Sequence, residues 1–358
     1  MKLQELQLVN FKNHSDLKFS FNQEINCFIG NNGVGKTNIL DAIHYISSTK
    51  SYFNSNDQNT IKFNENFFNV KGSFIDELEN LNEIICYYDN VNRKVVKKNQ
   101  KKYKKFSDHI GSFPSVFITP TDLKLIEGTS DIRRRFIDYG ISQYNPKYLN
   151  YLISYNKALK QRNSLLKQFI KTGIKDIETL EIYNNLLDNY GTYIYKIRNE
   201  YKNKIVPLIQ KLYSLISSNK EQADLKYDSQ LVNMEFKTLL QNALEKDLIS
   251  TYTSVGIHKD EFLLTLDNNL VKTYGSQGQQ KSFLISIKLA QLLIIKELKG
   301  FSPILILDDL FDRLDISRVS QLIDIISKEN ISQVFITDTD EKRVKSLFAK
   351  KNYEIFYI

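Results

Sequence analysis

The stretch GNNGVGKT, Gly30 through Thr37, constrains this chain more than any other part of it. It fits the phosphate-cradling pattern G-x-x-x-x-G-K-[ST] without a mismatch. Average residue frequencies give about one chance match per hundred chains of this length, and the flanks lower that further. Ile25-Asn26-Cys27-Phe28-Ile29 is short and apolar enough for a buried strand, and Ile39, Ala42, Ile43 and Ile46 then recur at helical spacing. Gly30, Gly33 and Gly35 let the backbone turn with its N–H groups aimed inward, those of Asn31, Asn32, Val34 and Asn38 among them. With the N-terminus of the next helix these form an anion site. Lys36 adds a mobile positive charge for β- and γ-phosphates, and Thr37 offers a hydroxyl to Mg²⁺.

The length of 358 residues allows two or three domains around a sizeable core. Met1-Lys2-Leu3-Gln4-Glu5 leads straight into an alternating strand pattern, so no signal peptide is expected. The longest apolar region, Phe283 to Leu307, is interrupted by Lys288, Lys296, Glu297 and Lys299, so no membrane-spanning helix is expected. Cys27 and Cys86 lie in strand-like runs and read as buried thiols of a reducing, cytoplasmic compartment rather than a disulfide. Four scattered histidines without close Cys/His pairs argue against structural zinc. The net charge of +8 permits an anionic partner such as nucleic acid without requiring one.

Residues 1 to about 115 read as strands with one helix. Phe67 to Phe74 and Ile84 to Tyr88 are two of the strands. Arg93 to Lys105 carries eight basic residues and no acidic one, and reads as a hairpin turning at Asn99-Gln100. It has two readings: an edge hairpin whose lysines discourage sheet-to-sheet pairing, or a non-specific phosphate contact. From Thr129 to about Lys246 the pattern is mostly helical. Thr129 or Ser130 can cap a helix carrying Arg133-Arg134-Arg135, Pro146 opens a second helix, and Pro207 is expected to kink or break a long third one. The tyrosines here, Tyr148, Tyr151, Tyr155, Tyr183, Tyr190 and Tyr193, read as packing rather than base-stacking platforms. From about Tyr252 strands return, with Glu261 to Leu266 one of them.

Three further segments carry chemistry. Ser276-Gln277-Gly278-Gln279 precedes a helix expected from Ser282 to about Leu298, and a serine and glycine there form a second phosphate site. Ile304 to Leu307 is a buried strand from whose end Asp308 and Asp309 emerge. Asp308 suits Mg²⁺, and Asp309 suits activation of an attacking water. The alternative for the pair is a helix-starting turn. Arg313-Leu314-Asp315 follows, and Gln333 to Thr337 reads as another buried strand ending near the site.

This order of motifs resembles the ATP-binding-cassette ATPases, in particular the SMC-like heads, and within them the RecF family of bacterial recombination and repair proteins. Further residues carry the likeness: Asn10-Phe11-Lys12-Asn13, Phe117 to Gly128, Arg133 to Asp138, Lys160 to Leu166 and Ser254 to Asp260. The resemblance implies an α/β fold, a P-loop ATP-binding-cassette head built from both chain ends with an inserted helical lobe. The corresponding boundaries are 1–120 and 247–358 for the head and 121–246 for the lobe. It implies ATP and Mg²⁺ as cofactors, with Lys36 and the loop Gly30–Asn38 on the phosphates, Lys12 and Asn13 on the nucleotide side, Thr37 and Asp308 on the metal, and Asp309 as general base. Ser276, Gln277, Gly278 and Gln279 would form the signature that closes over the γ-phosphate held by a second copy, giving two composite sites in an ATP-driven homodimer. It further implies a clamp on double-stranded DNA near single-strand gaps, work with RecR and RecO to place RecA, and roles in the SOS response and fork maintenance. Arg133–Arg135 are structural or reach DNA or phosphate.

Some positions depart from the family pattern. Lys12 stands where Arg is usual, which keeps the charge and loses the fork geometry. Phe53 lies in a stretch that commonly carries an Arg, and Ile257 replaces a Pro. No histidine follows Thr337-Asp338, and Asp309 replaces the glutamate usual in transporters, which suggests weak hydrolysis suited to a switch. The signature, the Asp-Asp pair and the missing histidine weigh against a transporter ATPase. The short segment left after the last head strand weighs against an ATP-dependent nuclease, which needs a further carboxylate cluster.

Overall fold

The structure is a computed structural model that describes residues 1–91, 93–217, 221–311, 315–349 and 351–358. In chain order the strands are β1 (Lys2–Phe11), β2 (His14–Ser20), β3 (Ile25–Ile29), β4 (Phe67–Ile75), β5 (Leu81–Asp89), β6 (Arg93–Lys98), β7 (Lys101–Lys102), β8 (Ser115–Ile118), β9 (Ala223–Asp228), β10 (Glu261–Leu266), β11 (Asn269–Leu270), β12 (Ile304–Leu307), β13 (Val334–Asp338) and β14 (Tyr353–Tyr357). The helices are α1 (Lys36–Ser48), α2 (Lys124–Glu127), α3 (Ser130–Ser142), α4 (Pro146–Thr172), α5 (Ile177–Ser217), α6 (Phe236–Asn242), α7 (Leu244–Ser250), α8 (Val271–Tyr274), α9 (Gln277–Lys299), α10 (Ile316–Lys328) and α11 (Glu341–Leu347).

The chain divides into two compact units. The head comprises Met1–Leu123, a short segment beginning at Lys211, and Gln277–Ile358. It holds two sheets. One is parallel, in the order β14-β3-β13-β12-β8, and β3, β8, β12 and β13 are buried along their whole length, as the continuous apolar runs of a doubly covered sheet require. The other is antiparallel, in the order β2-β1-β4-β5-β6-β7. Its inward residues, Leu6, Leu8, Val70, Ile84, Cys86 and Val96, pack with Ile39, Ile43 and Ile46 of α1 into one apolar core. Cys27 and Cys86 are both buried free thiols. The basic hairpin turns at Asn99 and Gln100, which take positive φ of 48° and 66°, the backbone of a tight two-residue hairpin turn.

The lobe comprises Lys124–Gln210 and the stretch ending at Ser276. Residues 247–276, expected in the head, belong here because β10 pairs antiparallel with β9, from Glu261 opposite Asp228 to Leu266 opposite Ala223. The expected break at Pro207 is absent: α5 runs 41 residues through it, the proline forfeiting one helical hydrogen bond. Leu180, Asn184, Leu187, Gly191, Ile194, Arg198, Tyr201 and Ile205 are buried at alternating four- and three-residue steps, one stripe of that helix. Tyr148 and Tyr155 are buried, and Tyr151 packs on the rings of Tyr190 and Tyr193.

Two of the lobe's buried residues are arginines. Arg162 donates from Nη1 to Asp247 (2.7 Å) and Thr253 (2.8 Å) and from Nε to Asn184 (2.7 Å). Arg198 donates to Asp138 (3.0 Å), Asp260 (2.9 Å) and the Ile257 carbonyl (2.7 Å). Thr129 occupies the N-cap position of α3 without a side-chain cap bond. Its hydroxyl goes to Asp131, and that of Ser130 to Glu261.

Candidate nucleotide site

In the parallel sheet β13 lies between β3 and β12, with Ile336 opposite both Cys27 and Leu307. The register therefore brings the carboxyl ends of three strands together, where open α/β sheets bind ligands. The loop Gly30–Gly35 leaves the end of β3 and feeds α1, which starts at Lys36. Gly33 and Gly35 take φ of 88° and 106°, which only glycine adopts readily. A Cβ on Gly35 would also lie 2.6 Å from the His14 ring. Gly30 has a different reason from the turn expected of it. Its φ is not in the positive range, and a Cβ there would meet the Ile358 carbonyl oxygen at 2.6 Å, just past β14.

The Lys36 ammonium folds back over the loop and donates to the carbonyls of Gly30 (2.7 Å) and Asn31 (2.9 Å). The Thr37 hydroxyl donates to Asp308 at 2.8 Å, and so does the Thr337 hydroxyl from the end of β13. Thr337 in turn accepts from the Asp309 backbone N–H at 2.9 Å. Asp308 is only 6% exposed. Burial pushes its carboxyl above the usual carboxylate range, the Thr37 and Thr337 hydrogen bonds pull it back, neighbouring Asp309 adds to the rise and the Lys36 charge offsets part of it. A buried carboxylate beside a threonine hydroxyl is a hard-oxygen pair that fits Mg²⁺, and the loop's N–H groups with the Lys36 ammonium fit phosphate. Asp309 has φ of 46°. Aspartate is among the few non-glycine residues that tolerate this backbone, and such positions cluster at functional sites.

The turn between β1 and β2 braces the loop. Asn13 donates to the Val34 carbonyl (3.0 Å) and accepts from Asn38 (2.6 Å), and the His14 ring bonds the Gly35 carbonyl (3.1 Å). Burial holds His14 below its ordinary pKa, and toward the Gly35 carbonyl oxygen the ring nitrogen is the donor. Lys12 lies on this turn, and its ammonium is bound to fully buried Asp41 at 2.6 Å and stands over the Phe53 ring. The helix carrying the signature starts five residues earlier than expected, at Gln277, so Gln277, Gly278 and Gln279 form its first turn and exposed Ser276 immediately precedes it.

Arg133–Arg135 sit on lobe partners: Arg133 on Glu261 (2.8 Å), Arg134 on the Asp260 carbonyl (2.5 Å), and Arg135 on Asp131. Arg313 and Leu314 lie outside the described residues. Asp315 caps α10 by accepting from the Arg318 N–H. The roles of His14, Asp41 and Thr337 were not legible as site chemistry. For Thr337 the available signal was a hydroxyl at the end of a predicted buried strand.

The basic hairpin divides by face. Lys94 turns inward to Asp57 (2.6 Å) and Lys98 stands over Phe113. Lys97 faces outward in one cross-strand row that reads Lys18, Gln7, Lys71, Ile85, Lys97, Lys102 across the six strands. Lys18 and Lys71 have acidic neighbours in Glu5 and Glu83.

A phosphate loop after an inner strand of a parallel sheet, an acid pair after the strand two places away, and a signature turn opening a long helix define the head of an ATP-binding-cassette ATPase. Comparison with known proteins carries the assignment further. The family model described as "RecF/RecN/SMC N terminal domain" matches residues 2–357. The chain is 42% identical over 358 residues to the DNA replication and repair protein RecF of Flavobacterium johnsoniae, covering 99% of each chain. It is 39% identical over 360 residues to that of Bacteroides thetaiotaomicron, covering 100% of this chain and 97% of the relative. The solved structure of the recombination mediator protein RecF-ATPrS in the RecFOR pathway superposes with a TM-score of 0.89 at 31% identity, covering 100% of this chain and 96% of that one. The Smc head domain from Pyrococcus furiosus shares the fold, with a TM-score of 0.56 at 19% identity over 99% of this chain and 92% of that one. The chain belongs to the RecF family of DNA replication and repair proteins.

Proposed function

We propose that this chain binds ATP with Mg²⁺ at the loop and acid pair, and that two copies close on two such ATPs to clamp double-stranded DNA near single-strand gaps. The observation that carries this reading is the Thr37–Asp308–Thr337 cluster beside the phosphate loop. There, among the described residues, a buried carboxylate takes its hydrogen bonds from neutral hydroxyls, and Lys36 acts on it through its charge alone. Thr37 and Asp308 would hold Mg²⁺, which when bound offsets phosphate charge. Lys36 releases its two carbonyls for the β- and γ-phosphates. Asp309 takes a proton from the attacking water, whose oxygen bonds to the γ-phosphorus as the bond to the β–γ bridging oxygen breaks, releasing ADP and phosphate. The left-handed backbone at Asp309 suits an aspartate here, and its short reach makes hydrolysis weak, a switch rather than a motor. Ser276 to Gln279 serve the nucleotide of the second copy. The solved relatives described as RecF-ATPrS and RecF-ATP support the nucleotide.

Outward Lys97 and Lys102, with exposed Lys101, Lys104 and Lys105 beside them, are assigned to phosphate contacts. Arg133–Arg135, engaged within the lobe, are assigned to structure. With RecR and RecO the clamp would help load RecA on single-stranded DNA in the cytoplasm, in the SOS response and at stalled forks. Among the described residues no helix is long and apolar enough to cross a membrane. The test is duplex binding by Asp309→Asn, which traps the ATP state, as a function of salt. Binding should need ATP and fail with ADP. Lys97→Ala should weaken it and lower the salt slope by about one. Equal binding with ATP, ADP and no nucleotide would remove the ATP-driven clamp.

A further inference from the structure

Arg318, in the first turn of α10, is packed against the signature turn. Its two ends are held by one carboxylate: Asp315 accepts from the Arg318 backbone N–H at 2.9 Å and from guanidinium Nη1 at 2.5 Å. So held, the guanidinium lies on Gly278. A Cβ there would stand 3.0 Å from Nη2, 3.1 Å from Nη1 and 3.4 Å from Cζ. Gly278 has no positive φ, so its glycine is explained by room for this guanidinium and not by backbone freedom.

The placement is electrostatically odd. Gly278 is in the first turn of a 23-residue helix, whose N-terminus carries positive potential and favours anions. A guanidinium there is disfavoured until an anion joins it. Asp315 is half exposed and so offsets it weakly, and among the described residues the buried Nε has no hydrogen-bond partner. The side chain therefore keeps donor capacity in a planar fork that matches phosphate oxygens.

We propose that Arg318 is a phosphate-binding residue in trans: when two copies close, its guanidinium joins Ser276 and the N-terminus of α9 on the γ-phosphate held by the partner's loop, with Asp315 as the tether that stores it on the signature until then. This rests on the closed-dimer reading above. It adds a contact from the helix after the acid pair, which the signature pattern does not include.

The experiment is sedimentation of Asp309→Asn protein with ATP over a concentration series, alone and carrying Ser276→Arg, Arg318→Gln or Arg318→Lys. A charged hydrogen bond is worth about tenfold in affinity. The contact occurs twice in the dimer, so Arg318→Gln should raise the dimer dissociation constant about a hundredfold. Arg318→Lys should recover part of the loss. ATP affinity of the monomer and the melting temperature should stay at the parent values. If Arg318→Gln dimerises like the parent while Ser276→Arg does not, the Arg318 contact is wrong and the closed dimer stands. Loss of monomer ATP affinity or melting temperature alongside dimerisation would make Arg318 a structural brace, and lysine no better than glutamine would rule out its charge. A parent that stays monomeric in ATP overturns the dimer reading and this inference together.

Discussion

In the lobe, buried cations are met by buried anions: Arg162 by Asp247, and Arg198 by Asp138 and Asp260. At the phosphate loop of the head, unlike its Lys12–Asp41 pair, Lys36 is met by two neutral carbonyls and Asp308 by two neutral hydroxyls. Both arrangements are built from hydrogen bonds, with Arg162 Nη2 and Asp260 Oδ1 of the lobe left unpaired among the described residues, but only the first pairs ion with ion by direct contact. A cation resting on carbonyls is exchangeable for one resting on phosphate, and a carboxylate resting on hydroxyls is exchangeable for one resting on a metal. The lobe network resists any such exchange, because removing one partner strands the other in low dielectric. Burial of charge alone therefore does not mark a site; burial of a charge whose hydrogen bonds all go to neutral groups does.

The largest expected effect tests the closed half of that contrast. Arg162→Ala or Asp247→Ala should each cost about 3–5 kcal/mol in denaturant unfolding, since each leaves a buried uncompensated ion. The double change Arg162→Met with Asp247→Leu should cost much less than either alone. Additive losses would show that the two are not one closed unit.

None of that network could be read from the sequence, because its pairs are remote. Arg162 meets partners 85 and 91 residues away, and Arg198 partners 60 and 62 residues away. The candidate nucleotide site could be proposed from the sequence because its parts are contiguous: a loop whose spacing is fixed by the chemistry, and two aspartates at the end of a four-residue apolar strand. The same distinction explains the misplaced boundary at 247–276. Strand β10 is visible locally as Glu261–Leu266, but its partner Ala223–Asp228 is a six-residue strand lying after a 41-residue helix, in a stretch whose pattern reads as helical. Pro207 misled for the converse reason, because a local breaker was outweighed by a buried stripe continuing on both sides of it.

A smaller effect on folding, with a large one on function, is expected at Lys36. Lys36→Met removes two hydrogen bonds from a charged donor to neutral carbonyls and should change stability by about 1.5–3 kcal/mol. It should lower ATP affinity at least about a hundredfold, since charged contacts to phosphate are lost. Calorimetric titration and denaturant unfolding read the two separately, and parallel losses would place Lys36 in the lobe's class.

The smallest effect is a pH signature at Asp308. Burial raises this carboxyl, so the folded state holds its proton more tightly than the unfolded chain does. Stability of the nucleotide-free protein must then fall as pH rises from the ordinary carboxylate value through the raised one. Asp308→Asn removes that term. The variant should be at least as stable as the parent at neutral pH, with the difference fading in acid, while Mg²⁺-dependent ATP binding is lost. Thermal melts against pH check this, and a variant clearly less stable at pH 7 would show that Asp308 has its counter-charge within the fold.

ATP and its metal, bound between two copies, would replace the neutral partners that Lys36 and Asp308 now have. The most direct measurement is the mass of the Asp309→Asn protein in sedimentation, with ATP, with ADP and with neither, each in the presence of a short duplex. The account predicts twice the monomer mass plus one duplex with ATP, and a DNA-free monomer in the other two cases. A protein that stays monomeric with ATP, or dimerises equally without it, would contradict it.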